Sequence, residues 1–322
     1  MHKITIKKIF LFLSILIATS LACSLQMTAT IPTDIPDSPT SVSTIGVTTQ
    51  ISATVVTIPT TLIPTQIPGT QTQIPTQVPV TVSPPSGDVE VAVDPLRIVL
   101  SQKIASGAHG NQLPRTEGQN VAPWDITPGH TQLKLEGYIL QGKSHEPQIY
   151  VYPAQAYAEM RPAAFESLHR LNNILYDPNA PINNGQFPTV PFFNAAQVFA
   201  SNFQVISFQN GRGVRFLTEY AQYAASVNNN DLFYHFQGVT NDGAYYLIAI
   251  LPISAPVLAE TSDANAVLPF GGIPYTYFAD PNSDMQSYYA DITTLLNTTS
   301  PEAFTPSIDQ LGLLIQSIQI TR

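Results

Sequence analysis

One cysteine occurs among 322 residues, so no disulfide can form within the chain and paired-thiol redox chemistry is closed to it. Charged side chains are also scarce, at 11% against about 25% in an ordinary soluble domain. Thr, Asn, Gln, Ser and Pro take their place, so solubility rests on neutral polar groups. That balance suits an envelope or extracellular protein better than a cytosolic enzyme. The formal net charge is −9. It argues against nucleic acid as a partner, because phosphate neutralisation needs clustered Lys and Arg, and against direct adhesion to anionic lipid. Beyond the first apolar run, none approaches the roughly 20 residues of a membrane-spanning helix. There is no Gly-x-Ser-x-Gly elbow and no HxH or HExxH pair, so the sequence names no reaction, no cofactor and no metal site.

What is present begins with His2, Lys3, Lys7 and Lys8, followed by an apolar run from Ile9 to Ile17 interrupted by Ser14. Ala18-Thr19-Ser20-Leu21-Ala22-Cys23-Ser24 comes next. A basic start, a short apolar stretch and small residues make a signal peptide over 1–22. The segment before Cys23 resembles the lipobox of bacterial lipoproteins. That resemblance implies a diacylglycerol-modified Cys23 as the mature N-terminus and anchorage on the outer face of the cytoplasmic membrane or the cell surface. Ala22 fits the small residue required before the cysteine. Ser20 stands where the usual Leu would be. Two other readings are a secretory signal cleaved near Ala22 and an uncleaved N-terminal anchor. Lipidation is preferred because the chain's only cysteine stands where lipidation needs it.

Residues 23–88 form a tether. From Ser24 to Val89 there is no aromatic residue, no Lys and no Arg, and Asp34, Asp37 and Asp88 are the only charges. A short theme recurs in Ile31-Pro32-Thr33, Ile58-Pro59-Thr60, Ile63-Pro64-Thr65 and Ile74-Pro75-Thr76. Proline removes a backbone donor every few residues and biases its predecessor to extended angles, which excludes helix. The expected state is a disordered, fairly stiff chain with polyproline-II character. A plain spacer, a wall-crossing stalk and a substrate for O-glycosylation all fit this composition.

Residues 89–322 carry the sole Trp and most of the aromatics, enough chain for one globular domain. Phe203–Phe208, Gly213–Tyr223, Leu232–Val239 and Ala244–Ile253 read as four strands. Asn210-Gly211 and Asp242-Gly243 between them supply the positive φ angles of tight hairpins. The last strand, through Tyr245-Tyr246-Leu247-Ile248-Ala249-Ile250-Leu251, is apolar on both faces, so it is central and covered on both sides. Helices are expected at Ala163–Leu175, with Phe165, Leu168, Leu171 and Leu175 at helical spacing, and more briefly at Asn194–Ala200. A third is capped by Asn282 or Ser283 and a fourth by Thr305-Pro306. Arg97–Leu100, Gln132–Leu140 and Gln148–Tyr152 read as strands, Ser106–Gly129 as loop, and Ser317–Ile320 as a short final strand. The fold class is α+β: an antiparallel sheet, a four-strand meander plus N-terminal strands, covered by helices on both faces.

The order of early strands, helix, meander, long loop, helix and a terminal helix running into Leu-Ile-Gln-Ser-Ile-Gln-Ile resembles the α/β/α sandwich of PsbP-like domains. Gln148-Ile149-Tyr150-Val151-Tyr152-Pro153 and Phe208-Gln209-Asn210-Gly211-Arg212-Gly213-Val214 resemble a family of bacterial lipoproteins with no assigned activity. The PsbP-like resemblance implies a non-catalytic binding or assembly role, with an envelope protein or a small molecule as the partner. The alternative is an extracellular hydrolase acting on glycan or peptide.

Candidate chemistry is thin. His109, His130, His145 and Asp125 have no metal-ligand spacing and are expected to be unrelated loop side chains. His235, between Tyr234 and Phe236, is expected to be a hydrogen-bonded sheet residue. Gln209-Asn210-Gly211-Arg212-Gly213 precedes a strand rather than a helix, so it is a hairpin turn and not a phosphate cradle. Glu166 and Glu219 would make a glycosidase pair only if the fold brought them together. The aromatics, Phe192, Phe193, Tyr220, Tyr223, Tyr275 and Tyr288 among them, outnumber what so few charges would suggest, and some are expected to line a groove.

Overall fold

The structure is a computed structural model that describes residues 87–182, 184–263, 265–276 and 284–321. The expected signal peptide with Cys23, the Thr/Pro-rich stretch to residue 86, and Tyr277, Phe278, Asn282 and Ser283 lie outside the described residues.

Among the described residues the chain is α+β, with two antiparallel sheets and four α-helices. Strands β1 (Asp88–Val93), β2 (Leu96–Ser101) and β10 (Gln319–Ile320) form a three-stranded sheet in the order β1-β2-β10. The larger sheet has seven strands in the order β3-β4-β5-β9-β8-β7-β6. Its members are β3 (Gly107–Leu113), β4 (His130–Glu136), β5 (Gln148–Pro153), β6 (Ala196–Phe208), β7 (Gly211–Ala221), β8 (Phe233–Thr240) and β9 (Tyr245–Pro252). The expected meander is present as β6 to β9, each strand paired with its sequence neighbour. Strand β5 then adds to the far side of β9, with Ile149 opposite Ala249.

The helices are α1 (Ala154–Met160), α2 (Pro162–Tyr176), α3 (Met285–Thr298) and α4 (Ile308–Ser317). Helix α2 starts on Pro162, whose missing N–H costs nothing in the first turn. It buries Ala164, Leu168, Leu171, Ile174 and Leu175. Helix α4 opens on Ser307 rather than Thr305-Pro306. Ser307 Oγ accepts from Gln310 N at 3.2 Å while Gln310 Oε1 accepts from Ser307 N at 3.2 Å, a reciprocal capping box. Helix α3 is capped by Asp284, whose carboxylate accepts from Gln286 N at 2.9 Å; this replaces the expected Asn282 or Ser283.

Three other expectations are corrected. Asn194–Ala200 is not a helix, because Ala196 already begins the thirteen-residue strand β6. Ser106–Gly129 is not all loop, because it contains β3 and a 3-10 turn at Pro123–Asp125. The strand from residue 130 stops at Glu136, where Gly137 turns the backbone to φ 59°. Strand β6 bends where its register against β7 shifts between Ser201 and Gln204. Asn202 there takes φ 51°, and its N–H donates to Asn297 Oδ1 of α3 at 2.6 Å.

The side chains of β9 divide between two buried clusters. Ile248 and Ile250 pack with Tyr157, Leu168, Leu171, Val214 and Phe216. Leu247, Ala249 and Leu251 pack with Leu133, Leu217, Tyr289, Ile292 and Leu311. Burying an aliphatic side chain of this size contributes about 1.5–3 kcal/mol, so both sets matter to the fold.

Candidate functional site

The residues singled out for chemistry do not converge. His109 lies exposed on β3, and its Nε2 is 3.1 Å from Asn111 Oδ1. His130 starts β4, is buried, and has its ring 4.4 Å from that of Tyr152. His145 packs 4.5 Å from the Phe233 ring. His130 is thus a packed strand residue rather than the expected surface loop side chain, whereas His145 does lie in the loop between β4 and β5, half-buried; burial lowers the pKa of both. Asp125 is exposed in its 3-10 turn. No group of three or more metal-ligating side chains occurs among the described residues.

His235 is fully buried on β8, and its Nε2 lies 3.0 Å from the Val190 carbonyl. Burial pushes its pKa down to about 3, which keeps the ring neutral. It is a hydrogen-bonded sheet histidine. Glu166 faces solvent on α2 and pairs with Arg170 at 3.2 Å. Glu219 is buried on β7, where it accepts from Asn228 N at 3.1 Å. The two carboxyls belong to separate hydrogen-bond networks. Burial raises the Glu219 pKa to about 8, but that carboxyl caps the 225–231 loop.

The Gln209–Gly213 motif is a hairpin with a packing function. A Cβ on Gly213 would lie 2.3 Å from the Gln237 carbonyl and 2.6 Å from the Phe236 ring, so the strand admits only glycine there. Asn210 uses its amide to hold β10: Nδ2 donates to Ile320 O at 2.6 Å, and Oδ1 accepts from Ile320 N at 3.0 Å.

Two of the concavities among the described residues are lined by more than one Phe or Tyr side chain. The smaller, about 330 Å³, lies between residues 223–227, 258–275 and α3. Tyr275 and Tyr288 meet edge-to-face in it at 4.8 Å, and the Tyr288 hydroxyl accepts from Val227 N at 3.0 Å. The larger is an open groove of about 870 Å³. One wall is a flank of α2 carrying Phe165, His169, Asn172 and Tyr176. Their spacing of four, three and four residues places them along one side of the helix. The floor is Ala154 and Ala158 of α1 with Leu168 and Leu175. The far wall is the ends of two hairpins, with Arg212 from β7 and Val239, Thr240, Asn241 and Gly243 from the β8–β9 turn.

This groove is built by register. Leu168, Leu171 and Leu175 turn one stripe of α2 into the core, so residues one step around the helix stand at the edge of that stripe. Phe165, read at helical spacing with the leucines, is 60% exposed, and Tyr176 is 91% exposed. The Phe165 and His169 rings lie parallel, 6.5 Å apart with an interplanar angle of 11°. Arg212 is the one Lys, Arg, Asp or Glu side chain in the lining. Such a surface offers flat apolar faces, neutral amides and one cation. The sequence reading missed Tyr176 and grouped Phe165 with the leucines; their eleven-residue separation on the helix, beside rather than within the leucine stripe, was the available signal.

No protein-family model matches the chain, and no curated protein matches it.

Proposed function

We propose that this chain is an exported, lipid-anchored binding protein whose C-terminal domain takes its ligand in the groove on α2 without chemistry upon it. Cys23 carries the anchor, residues 24–88 space the domain from the membrane, and the groove meets the ligand. The observation that carries the binding role is the pair of water-facing aromatic rings, Phe165 and Tyr176, at the rim of a concave surface. Large apolar side chains left in solvent around a concavity mark interaction sites. The signal segment and the position of the only cysteine support the anchor. Among the described residues no helix is long and apolar enough to cross a membrane.

The same proposal reads the seven-stranded sheet as covered by helices on both faces, α1 and α2 on one and α3 and α4 on the other, the layering implied by the PsbP-like resemblance. The division of Ile248 and Ile250 from Leu247 and Leu251 between two clusters supports it.

Two measurements test the function. Metabolic labelling with a fatty-acid analogue is expected to mark the wild type and not Cys23→Ser; equal labelling removes the anchor. The exported Cys23→Ser protein is expected to co-sediment with a purified envelope fraction, and the same protein carrying Phe165→Ala and Tyr176→Ala is expected to stay in the supernatant. Co-sedimentation unchanged by those substitutions removes the groove as the binding surface.

A further inference from the structure

We infer that the groove on α2 is built for a carbohydrate chain, a short run of hexopyranose units lying along the helix; this rests on the binding role proposed above and names its ligand class. A pyranose ring has a C–H face that packs on an aromatic plane and an edge of hydroxyls that demand donors and acceptors. The groove presents both in matching places. Phe165 and Tyr176, eleven residues apart on α2, are separated by about 16 Å at 1.5 Å per residue, which is the span of several linked rings rather than one. Both aromatics are exposed, at 60% and 91%, so each offers ring surface to a ligand, Phe165 beside the parallel His169 ring. Across the groove stand Arg212 and Asn241, with Asn172 between the two aromatics on the near wall. Planar amides and a guanidinium offer paired donors to vicinal oxygens. The floor of Ala154 and Ala158 is smooth and keeps the trough open.

Other ligand classes fit less well. A peptide gains most of its affinity by pairing its main chain with a free strand edge. Here the far wall is made of hairpin ends whose backbone groups are already used, Asn241 N donating to Asn210 O at 2.9 Å and Gly243 N to Thr240 O at 2.8 Å. A nucleic acid needs many cations and this groove has one. A lipid chain needs an enclosed apolar slot, whereas His169, Asn172, Arg212, Thr240 and Asn241 line an open one. The single guanidinium adds a preference for saccharides bearing a carboxylate.

The test is calorimetric titration of the exported Cys23→Ser protein with three probes: a β-1,4-linked N-acetylglucosamine tetramer, a galacturonate tetramer, and an uncharged Ala/Ser/Asn octapeptide. Binding of a tetrasaccharide is expected, weakened about tenfold or more by Tyr176→Ala and by Phe165→Ala and retained by Tyr176→Phe, which keeps the ring. Arg212→Gln is expected to weaken the uronate tetramer more than the neutral one. Because Tyr176 is at the surface, its variants are expected to melt at the wild-type temperature, which separates a lost contact from a lost fold. No binding of either tetrasaccharide, or binding indifferent to Tyr176→Ala, overturns the inference. Should the octapeptide bind instead and lose affinity with Tyr176→Ala, the groove stands as the binding surface and only the ligand class is wrong. If no probe binds and envelope co-sedimentation also ignores Tyr176→Ala, both readings fall together.

Discussion

The Tyr246 hydroxyl lies 3.0 Å from Ser167 Oγ, buried where strand β9 meets helix α2. Ser167 Oγ also accepts from Thr189 N at 2.8 Å, and Tyr246 donates onward to Gln237 Oε1. Gln237 Nε2 then donates to the Pro188 carbonyl at 2.8 Å. One chain of hydrogen bonds thus pins the 188–190 segment between helix and sheet. Such a network is stabilising only while every member is satisfied. Tyr246→Phe leaves Gln237 Oε1 without its donor and is expected to cost about 1–3 kcal/mol. A lower urea midpoint at unchanged slope is the signature; an unchanged midpoint would mean that the network contributes nothing.

Strand β9 offers a direct test of two-sided burial. Ile250 and Leu247 are both buried, in different clusters. Ile250→Ala and Leu247→Ala are each expected to cost about 2–5 kcal/mol, as for other buried aliphatic truncations. A cost below roughly 0.5 kcal/mol for either, typical of exposed sites, would contradict cover on that face.

Two buried groups set the pH dependence from opposite sides. Burial raises the Glu219 pKa from 4.5 to about 8. Between those values the folded state keeps a proton that the unfolded state has released, so stability falls as pH rises through this window. His235 behaves inversely. Burial lowers its pKa from 6.5 to about 3, so the unfolded state takes up a proton first and stability falls as pH drops from about 6.5 toward 3. Thermal melting from pH 3 to pH 9 is expected to peak between these limbs. Glu219→Gln is expected to flatten the alkaline limb and, because the two windows overlap between 4.5 and 6.5, to let the acid-side rise continue to about pH 6.5. An alkaline limb of the same slope in that variant would assign the loss to another group.

The two ends of the Thr305–Ser307 segment are expected to respond differently. Ser307→Ala breaks the capping box of α4 and is expected to cost about 1 kcal/mol. Thr305 is exposed, so Thr305→Ala is expected to stay within about 0.5 kcal/mol. Denaturant midpoints measured side by side decide it, and a larger loss at Thr305 would move the cap back to the position that the sequence suggests.

The meander was readable because two of its three connections carry short turn signals: Asp242-Gly243, where Gly243 takes φ 70°, and Asn210-Gly211, where the expected positive φ is absent and the glycine is instead required by the Phe208 ring against it. Strand β3 was not readable. Gly107-Ala108-His109-Gly110-Asn111-Gln112-Leu113 has no β-branched residue, and its place is fixed by tertiary contact. A Cβ on Gly110 would come within 2.5 Å of the Val93 side chain, so the glycine that weakens the local signal is what admits the neighbouring strand. Asn194–Ala200 misled because a short apolar run suits either period, and only the pairing of Ala200 with Thr218 settles it as strand. Thr305-Pro306 mimicked a helix start whose hydroxyl belongs to Ser307. The groove was hidden for a different reason: its walls come from residues 165–176 and from hairpin ends at 212 and 239–243. No local pattern links stretches so far apart.

The placement of β10 bears on when this domain can be finished. Strand β2 begins at Leu96 and its outer partner is Ile320, so the small sheet stays open at one edge until a residue 224 positions after Leu96 has been made. Strands β5 and β9, adjacent in the large sheet, are likewise separated by almost the whole meander and the helices before it. Pairings between such distant segments form late. A nascent chain therefore lacks its closing strand throughout the synthesis of the segment between Leu96 and Ile320. If residues 1–22 act as the proposed export signal and deliver the chain to a secretion pore during that interval, the polypeptide arrives unfinished and can be threaded before Ile320 locks against Leu96 and Asn210. Stability and passage are then reconciled by the order in which residues appear.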